Sequence, residues 1–402
     1  MKILFVSFGI LPNRGAAAFV TESLCNNFTP EEMAVVGEQI LFEGRIERPE
    51  GAPNYYYLRT NFSWRGKGKR FFVPLRWMLF PYLLWKMNRI VRRERCDYVI
   101  GTFPDNYYLY GAYLVAKRNG LGFSSYFHNT YLENRPTHTY AFRFASRIQP
   151  KIFDYSDYIF VMSEGMQGYY EERYPELQGK FVPLIHTFEE WPEAPERDFA
   201  EKKERYDLLL MGNFNNSNVE ATARFVEALK GEGRYNIKMF THVLKPQLKM
   251  RGIDAEAIDY RGFVKQEDFY KELMDNDVCV LTHGFTGGYS QAEYETIFPT
   301  RTIPFLISGR PIFAHSPKNS FLTKFLKKYD CAEVVDEPSP EEVRRCMRAL
   351  IDDPERRRQL VENARRVAER FYGPNVARFL KDQLEAVRGK RATGGAAHED
   401  QP

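Results

Sequence analysis

Residues 277–317 read DVCVLTHGFTGGYSQAEYETIFPTRTIPFLISGRPIFAHSP, and this stretch decides the fold. A short apolar run, VCVLTH, leads through a glycine-rich turn at 284–288 into a polar segment. An apolar helix around 303–307 then stops at a Ser-Gly pair, and a second apolar run, PIFAH, follows. This order predicts a strand, a loop, a helix and a parallel strand. Ligands of such βαβ units bind where the loop meets the start of the helix.

The same alternation recurs on both sides of this stretch. Apolar runs that predict buried strands include KILFVSF, YYYLRT, DYVIGTF, SSYFHN, KFVPLIH, YDLLLM and NIKMFTH, and helical patterns separate most of them. The run MAVVGEQI fits either a helix or a strand. A chain of 402 residues is long enough for two domains, each with its own core. The sequence therefore predicts an α/β protein with two parallel sheets.

Composition places the chain among soluble globular proteins, because 44% of its residues are hydrophobic and 27% are charged. Its five cysteines are odd in number and show no C-x-x-C spacing, which favours a reducing compartment over a disulfide framework or a zinc site. The acidic triplet at 275–277 precedes a strand and predicts a turn. We therefore expect no metal site.

The first residues resemble a secretory signal peptide, since Lys2 precedes the apolar run ILFVSFGIL and three alanines follow at 16–18. The alternative is a first buried strand that turns into a helix. The apolar run is short, and Arg14 lies in the supposed cleavage region. These features favour the strand, and the sequence predicts a cytoplasmic protein.

Positive charge is concentrated in one region. Between Arg65 and Arg95 the chain carries ten Lys or Arg against one acid, Glu94, although the net charge of the whole chain is only +4. The aromatic residues Phe71, Phe72, Trp77 and Trp85 lie in the same region, and Trp64 directly precedes it.

Prolines and charges interrupt this region, so it cannot be a transmembrane helix. Trp77, Trp85, Arg89, Arg92 and Arg93 instead suit an amphipathic surface on an anionic membrane or near the acceptor. A core helix with a basic outer face is the alternative. Nucleic acid is the third, and it is disfavoured because no known binding module accompanies the patch.

The segment PTRTIPFLISGRPIFAHSP resembles the PTK-x-x-E-Y-L-A-S-G-R-P-V-L-A segment of GT-B nucleotide-sugar glycosyltransferases, in particular the large group numbered family four. The resemblance extends more weakly over residues 1–385. It implies two Rossmann-like domains that face each other across a cleft, an acceptor-side domain at 1–188 and a donor-binding domain at 189–373. A helix at 374–388 would cross back to the first domain. Residues 389–402 lack an apolar period and are predicted to be disordered.

The resemblance also implies a donor site. Arg301 matches a family lysine that binds the donor diphosphate, and its planar fork can contact two phosphate oxygens, with Thr300 and Thr302 adding donors. A surface arginine is the alternative. Gly15 matches the first glycine of a family Gly-Gly loop near the donor, although a tight turn alone would explain it.

Three positions of the predicted donor-binding domain depart from the family pattern. Asn213 and Asn218 stand in a turn where many relatives carry an Arg and a Lys for the diphosphate. The family glutamate that holds the nucleotide ribose falls on Pro304, which has no carboxylate. Glu293 and Glu295 lie upstream and could reach the same hydroxyls.

His128 follows a predicted strand at the place where many relatives carry His-Asp facing the sugar, and Asn129 replaces the aspartate. His128 and Asp105 are the candidates for orienting the sugar or accepting the proton. A satisfied polar histidine is the alternative.

The resemblance implies transfer of a sugar from a nucleotide-sugar donor to a glycan or a lipid-linked acceptor in cell-surface polysaccharide synthesis. The nucleotide sugar is a co-substrate, so no bound cofactor and no metal are expected. Two alternatives stay open: a catalytically silent homologue that binds or scaffolds, and a sugar-nucleotide 2-epimerase on the same fold.

Overall fold

The computed structural model describes residues 1–12, 16–39, 48, 50–60, 75–193, 195–264, 268–286 and 290–395. The chain forms two compact units. Unit 1 contains Met1–Glu189 and Tyr372–Pro402, and unit 2 contains Glu190–Phe371. The predicted boundaries, after residues 188 and 373, lie one and two residues away from these.

Unit 1 is built on a parallel sheet of seven strands in the order β3-β2-β1-β4-β5-β6-β7. The strands are β1 (Ile3–Val6), β2 (Met33–Glu38), β3 (Asn54–Leu58), β4 (Tyr98–Phe103), β5 (Gly122–Phe127), β6 (Ile159–Val161) and β7 (Phe181–Pro183). Its helices are α1 (Ala16–Cys25), α2 (Phe80–Glu94), α3 (Asn106–Asn119), α4 (Tyr140–Tyr155) and α5 (Glu164–Arg173). A 3₁₀ turn, Pro175–Leu177, precedes β7.

The first apolar run is a central strand of this sheet. β1 pairs in parallel with β2 and β4, and all four of its residues are buried. A strand covered on both faces must be apolar at every position, which explains the continuous run ILFV. The ambiguous run MAVVGEQI forms β2, a strand.

Unit 2 is built on a parallel sheet of six strands in the order β10-β9-β8-β11-β12-β13. The strands are β8 (Tyr206–Met211), β9 (Tyr235–Phe240), β10 (Asp259–Gly262), β11 (Val278–Thr282), β12 (Ile312–His315) and β13 (Glu333–Val335). Its helices are α6 (Val219–Leu229), α7 (Lys245–Met250), α8 (Phe269–Met274), α9 (Gln291–Thr296), α10 (Thr302–Ile307), α11 (Phe321–Lys328), α12 (Pro340–Asp352) and α13 (Pro354–Ala368). A 3₁₀ turn, Glu369–Phe371, ends the unit.

The stretch at 277–317 forms the expected βαβ unit. β11 pairs in parallel with β12, and α10 lies between them in the chain. Gly309, with φ of 70°, provides the left-handed residue that stops α10. The polar segment before α10 contains a further short helix, α9, which begins with Ser290 as its N-cap.

The last helix, α14 (Gly373–Gly395), belongs to unit 1. Val376, Ala377, Leu380 and Leu384 join the core formed by β1, β4 and α1. The helix extends past residue 388, where the sequence predicted disorder, as far as Gly395. Residues 396–402 lie outside the described residues.

Among the described residues, no helix combines the length and the apolarity that crossing a bilayer requires.

Candidate functional site

The side chain of Arg301 lies at the carboxyl edge of the unit 2 sheet. Its Nη1 donates to the Met211 carbonyl oxygen at 3.1 Å, and its Nη2 donates to the Thr282 carbonyl oxygen at 2.9 Å. Met211 and Thr282 are the last residues of the neighbouring strands β8 and β11. Arg301 itself directly precedes α10. The arginine is therefore held at the edge where parallel sheets bind ligands.

Gly212 makes room for this guanidinium. A Cβ atom at position 212 would lie 2.9 Å from Arg301 Nη1, and the backbone there has a φ of 124°. Both features disfavour a side chain at this position. Sequence reasoning missed Gly212, although a glycine directly after a predicted strand was the available signal.

The charge of Arg301 has no carboxylate partner within the part of the chain that the structure describes. Its hydrogen bonds go to two carbonyl oxygens, while its Nε and the neighbouring Thr302 Oγ1 are buried without a partner. Burial lowers the pKa of Arg301 to about 10, so the side chain remains a cation at neutral pH. A partly buried cation held by neutral groups attracts an anion.

Two loops meet beside Arg301. The Gly284 N–H donates to the Ser217 carbonyl oxygen at 2.7 Å, and the Tyr294 hydroxyl donates to the Asn216 carbonyl oxygen at 3.1 Å. The first bond joins the loop after β11 to the loop after β8, and the second joins helix α9 to that same loop after β8. The structure thus brings the turn that contains Asn213 and Asn218 next to Arg301.

The two asparagines of this turn differ in role. Asn213 is exposed. Asn218 is buried, its Oδ1 accepts from the Asn215 N–H at 3.0 Å, and its Nδ2 donates to the Asn213 carbonyl oxygen at 3.4 Å. The hydrogen bonds of the Asn218 side chain therefore stabilise the conformation of the turn, whereas Asn213 is exposed to solvent.

The predicted glutamates lie on α9. Glu293 is buried, and the carboxylate of Glu295 accepts from Gln291 at 2.9 Å and from Asn319 at 3.3 Å. Thr300 is partly buried, and Pro304 lies in the first turn of α10.

His128 lies at the carboxyl end of β5 in unit 1, where it was expected. Its ring is buried and packs against Tyr126, with ring centroids 4.3 Å apart. A second buried imidazole, His186, stacks on it with centroids 5.6 Å apart. Sequence reasoning did not single out His186, and a lone histidine after a strand gave only a weak signal.

Asp105 has a structural role. Its carboxylate caps α3 by accepting from the N–H groups of Tyr107 and Tyr108, and it forms a two-pronged ion pair with Arg76 at 2.8 and 3.1 Å. These four contacts hold the carboxylate of Asp105 at the start of α3.

The basic aromatic region divides into two parts. Trp85, Arg89, Arg92 and Arg93 lie on the exposed face of α2. Trp77 instead packs among other aromatic rings, 5.4 Å from Tyr107 and 5.2 Å from Phe144, so it is not part of that face. Gly15, Trp64, Phe71 and Phe72 lie outside the described residues.

No group of three or more histidine, cysteine, aspartate or glutamate side chains is arranged to hold a metal ion among the described residues. All five cysteines are buried free thiols.

Known proteins share this architecture at low sequence identity. No protein-family model and no curated protein sequence matches the chain. Sucrose-phosphate synthase from Thermosynechococcus elongatus superposes with a TM-score of 0.70 at 11% identity, covering 97% of this chain and 99% of that chain. A glycosyltransferase from Rickettsia africae gives 0.66 at 12%, covering 96% and 98% of the two chains. Anabaena HepE in complex with UDP-glucose gives 0.64 at 13%, covering 96% and 100%.

These similarities establish the fold. The chain has the GT-B fold, with two Rossmann-like units, as the sequence predicted. At such low identities they establish the fold alone.

Proposed function

We propose that this chain is a glycosyltransferase that moves a sugar from a nucleotide-sugar donor to a glycan or lipid-linked acceptor in cell-surface polysaccharide synthesis. The observation that carries the proposal is the Arg301 guanidinium, a cation without a carboxylate partner among the described residues, held at the carboxyl edge of the unit 2 sheet. The GT-B fold and the UDP-glucose complex of the structural neighbour HepE support it.

Arg301 would act on the leaving group. As the bond between the sugar C1 and the diphosphate oxygen breaks, negative charge accumulates on the diphosphate, and a fixed cation stabilises that charge. The guanidinium is held by its carbonyl partners before the reaction, so little reorganisation is needed. The acceptor hydroxyl bonds to C1, and its proton passes to a base or to the departing diphosphate. No bound cofactor or metal takes part in this scheme.

We further propose that the exposed face of α2 binds an anionic membrane surface. Trp85 is 54% exposed, and the guanidinium of Arg89 lies 5.9 Å from its ring. Tyr82 extends the same face, and Arg92 and Arg93 add charge at the end of the helix. Aromatic rings with flanking arginines favour the interface between lipid headgroups and acyl chains. This would place the enzyme peripherally on the inner face of the plasma membrane.

A catalytically silent binding protein is the second candidate. It is favoured by Pro304 in place of the family glutamate and by the structural use of Asp105 and Asn218. Such a protein would still bind a nucleotide through Arg301, but it would not break the sugar bond.

One screen separates the two candidates. Purified protein is heated with a panel of nucleoside diphosphates and nucleotide sugars, and the ligand that raises the melting temperature identifies the donor. That donor is then incubated with the protein, and release of the nucleoside diphosphate is measured with and without lipid-linked glycan acceptors. Release that depends on acceptor supports the transferase, whereas binding without release supports the silent homologue. A panel in which no nucleotide stabilises the protein contradicts both.

A further inference from the structure

Helix α4 of unit 1 carries a row of three cations on its exposed face. Arg143, Arg147 and Lys151 are four residues apart, so they follow one another along one side of the helix, and all three are exposed. With the rise of an α-helix, the row is about 12 Å long. The opposite side of the helix, which includes Ile148 and Ile152, is buried. The row is therefore directed into solvent.

The positive charge of this row is not compensated by the residues that the structure describes. None of the three cations forms an ion pair with a described residue. The sequence of α4 contains a single acid, Asp154, and it lies in the last turn. Like charges four residues apart on a helix repel each other, so the row disfavours the helix when nothing anionic lies beside it. A surface of this kind attracts an anionic partner.

The row starts near the carboxyl edge of the unit 1 sheet. The hydroxyl of Tyr155, the last residue of α4, donates to the carbonyl oxygen of Leu121 at 3.3 Å, and Leu121 directly precedes β5. The end of the helix therefore lies at the amino edge of the sheet, and its start lies at the carboxyl edge. Parallel sheets bind ligands at that edge, so a ligand on the row can extend to it.

A fourth cation, Arg135, lies at the carboxyl edge in the loop before α4. Its guanidinium carbon lies 5.4 Å from the centre of the ring of Phe103, the last residue of β4. Its Nε is buried without a hydrogen-bond partner, and no described carboxylate pairs with it. Two carboxylates of the neighbouring loops have other partners, because Asp105 pairs with Arg76 and Glu133 accepts from a tyrosine hydroxyl at 3.2 Å. Arg135 thus extends the positive charge from the row to the edge.

The row on α4 differs from the exposed face of α2. On α2, the exposed rings of Tyr82 and Trp85 accompany the arginines. On α4, Tyr140 is the one large apolar side chain that is strongly exposed among the residues of the helix, at 73%, and it lies at the start of the helix, before the three cations. Cations without apolar side chains between them do not insert into a bilayer. An exposed aromatic ring at the carboxyl edge can instead pack against the C–H face of a sugar ring.

We propose that the exposed face of α4 binds an anionic glycan, and that Tyr140 and Arg135 hold the end of this glycan at the carboxyl edge of the sheet. The proposal rests on the proposed sugar-transfer function and deepens it by naming the class of acceptor, a glycan that carries carboxylate or phosphate groups. The cations of the row contact successive anionic groups along the glycan. One sugar ring packs on Tyr140.

Calorimetric titrations of the full chain, without nucleotide, test the proposal. The probes are an oligogalacturonate, a phosphate-bearing glycan and a neutral maltooligosaccharide of equal length, together with inorganic polyphosphate. At least one of the two anionic glycans should bind at least tenfold more tightly than the neutral one, and comparison of the two separates carboxylate from phosphate. The affinity should fall as salt is added, because salt screens exposed charges.

Two variants of equal charge locate the binding site. Replacing the three cations of the row with Gln should weaken binding of the anionic glycan about 3- to 100-fold, the range expected for three exposed ion pairs. The control replaces Lys318, Lys324 and Arg366 with Gln. These residues are exposed positions of unit 2, so the control loses the same net charge and should keep its affinity. Tyr140→Ala should weaken binding of the glycan and leave binding of polyphosphate unchanged.

Equal affinities for neutral and anionic glycans would overturn the proposal. So would equal losses in the row variant and its control, which would show attraction to net charge alone. A third contrary result is a row variant that loses flotation with anionic vesicles although no anionic glycan binds the unmodified protein, since the row would then contact lipid. Failure of the proposed function is seen separately, as the absence of nucleotide binding.

Discussion

The guanidinium of Arg301 occupies the space that a side chain at position 212 would need. A Cβ on Gly212 would lie 2.9 Å from Arg301 Nη1. The glycine in the turn after β8 therefore leaves room for the side chain of the arginine that precedes α10. Both lie at the carboxyl edge of one sheet. The position of the cation depends on a glycine that is 89 residues away in the sequence.

Replacing Gly212 with alanine should displace Arg301. The added methyl group meets the guanidinium, and the φ of 124° disfavours any side chain. We expect a loss of about 1–3 kcal/mol in stability together with weaker binding of nucleoside diphosphate. Gly231→Ala is the matched control, since Gly231 also has a positive φ, of 79°, but nothing lies near its Cβ position. Equal nucleotide affinities in the two variants would show that Gly212 does not position the cation.

Stability should fall as the pH drops from about 6.5 towards 4. Burial lowers the pKa of His128 to about 3, and those of His186, His283 and His315 to about 4, from an ordinary value of 6.5. In this window the unfolded chain binds protons that the folded chain does not, so protonation favours unfolding. Each histidine contributes about 1.4 kcal/mol per pH unit at most.

Melting temperatures at pH 7.5, 6 and 5 measure this effect. The double variant His128→Gln/His186→Gln should show a shallower dependence, and His138→Gln, at an exposed position, should follow the unmodified protein. A melting temperature that stays constant over this pH interval would contradict the assignment of buried neutral imidazoles.

Asp105 should behave as a structural residue. Asp105→Asn keeps an acceptable helix cap but leaves the partly buried Arg76 without its counter-charge, so we expect a loss of about 2–4 kcal/mol in stability. The double variant Arg76→Gln/Asp105→Asn should recover part of it, and urea unfolding measures both. An Asp105→Asn variant that keeps full stability but loses all sugar transfer would instead identify Asp105 as the catalytic base.

The exposed face of α2 predicts binding to anionic vesicles. Protein should float with vesicles of phosphatidylcholine and phosphatidylglycerol, but not with phosphatidylcholine alone. Replacing Arg89, Arg92 and Arg93 with Gln should weaken binding about a hundredfold, since each arginine contributes about 1 kcal/mol near an anionic surface. Trp85→Ala should weaken it further.

Phe263→Ala provides the control for this face, because Phe263 is 76% exposed but belongs to unit 2. If the fraction of protein that floats changes neither with the anionic lipid nor with the substitutions in α2, the membrane proposal is wrong.

The sequence predicted the fold well because the evidence for it is local. A parallel strand that is covered on both faces is apolar along its length. Runs such as ILFV and VCVLT can therefore be recognised as strands from the sequence. A helix stop needs a left-handed residue, and Gly309 supplied it. Local signals also mislead: the Thr29 N–H donates to the Glu32 carboxylate at 3.0 Å as in a helix start, yet strand β2 follows.

The site was harder to predict because it is assembled from distant positions. The sequence pointed to Arg301 and His128 through single motifs. It could not show that Gly212 receives the guanidinium, that His186 stacks on His128, or that Arg76 pairs with Asp105. Each of these is a contact between residues on different elements, so it cannot be predicted from residue spacing or from composition.

Calorimetric titration with the donor's nucleoside diphosphate tests the central claim most directly. Arg301→Gln removes the charge and should weaken binding about 10- to 100-fold, the loss of hydrogen bonds from a charged group. Arg310→Gln is the matched control, because Arg310 is also buried and donates to the carbonyl oxygens of Met274 and Gly309, yet it follows α10 rather than preceding it. We predict that only the Arg301 variant loses affinity. Unchanged affinity after Arg301→Gln, in protein that remains folded, would contradict the account.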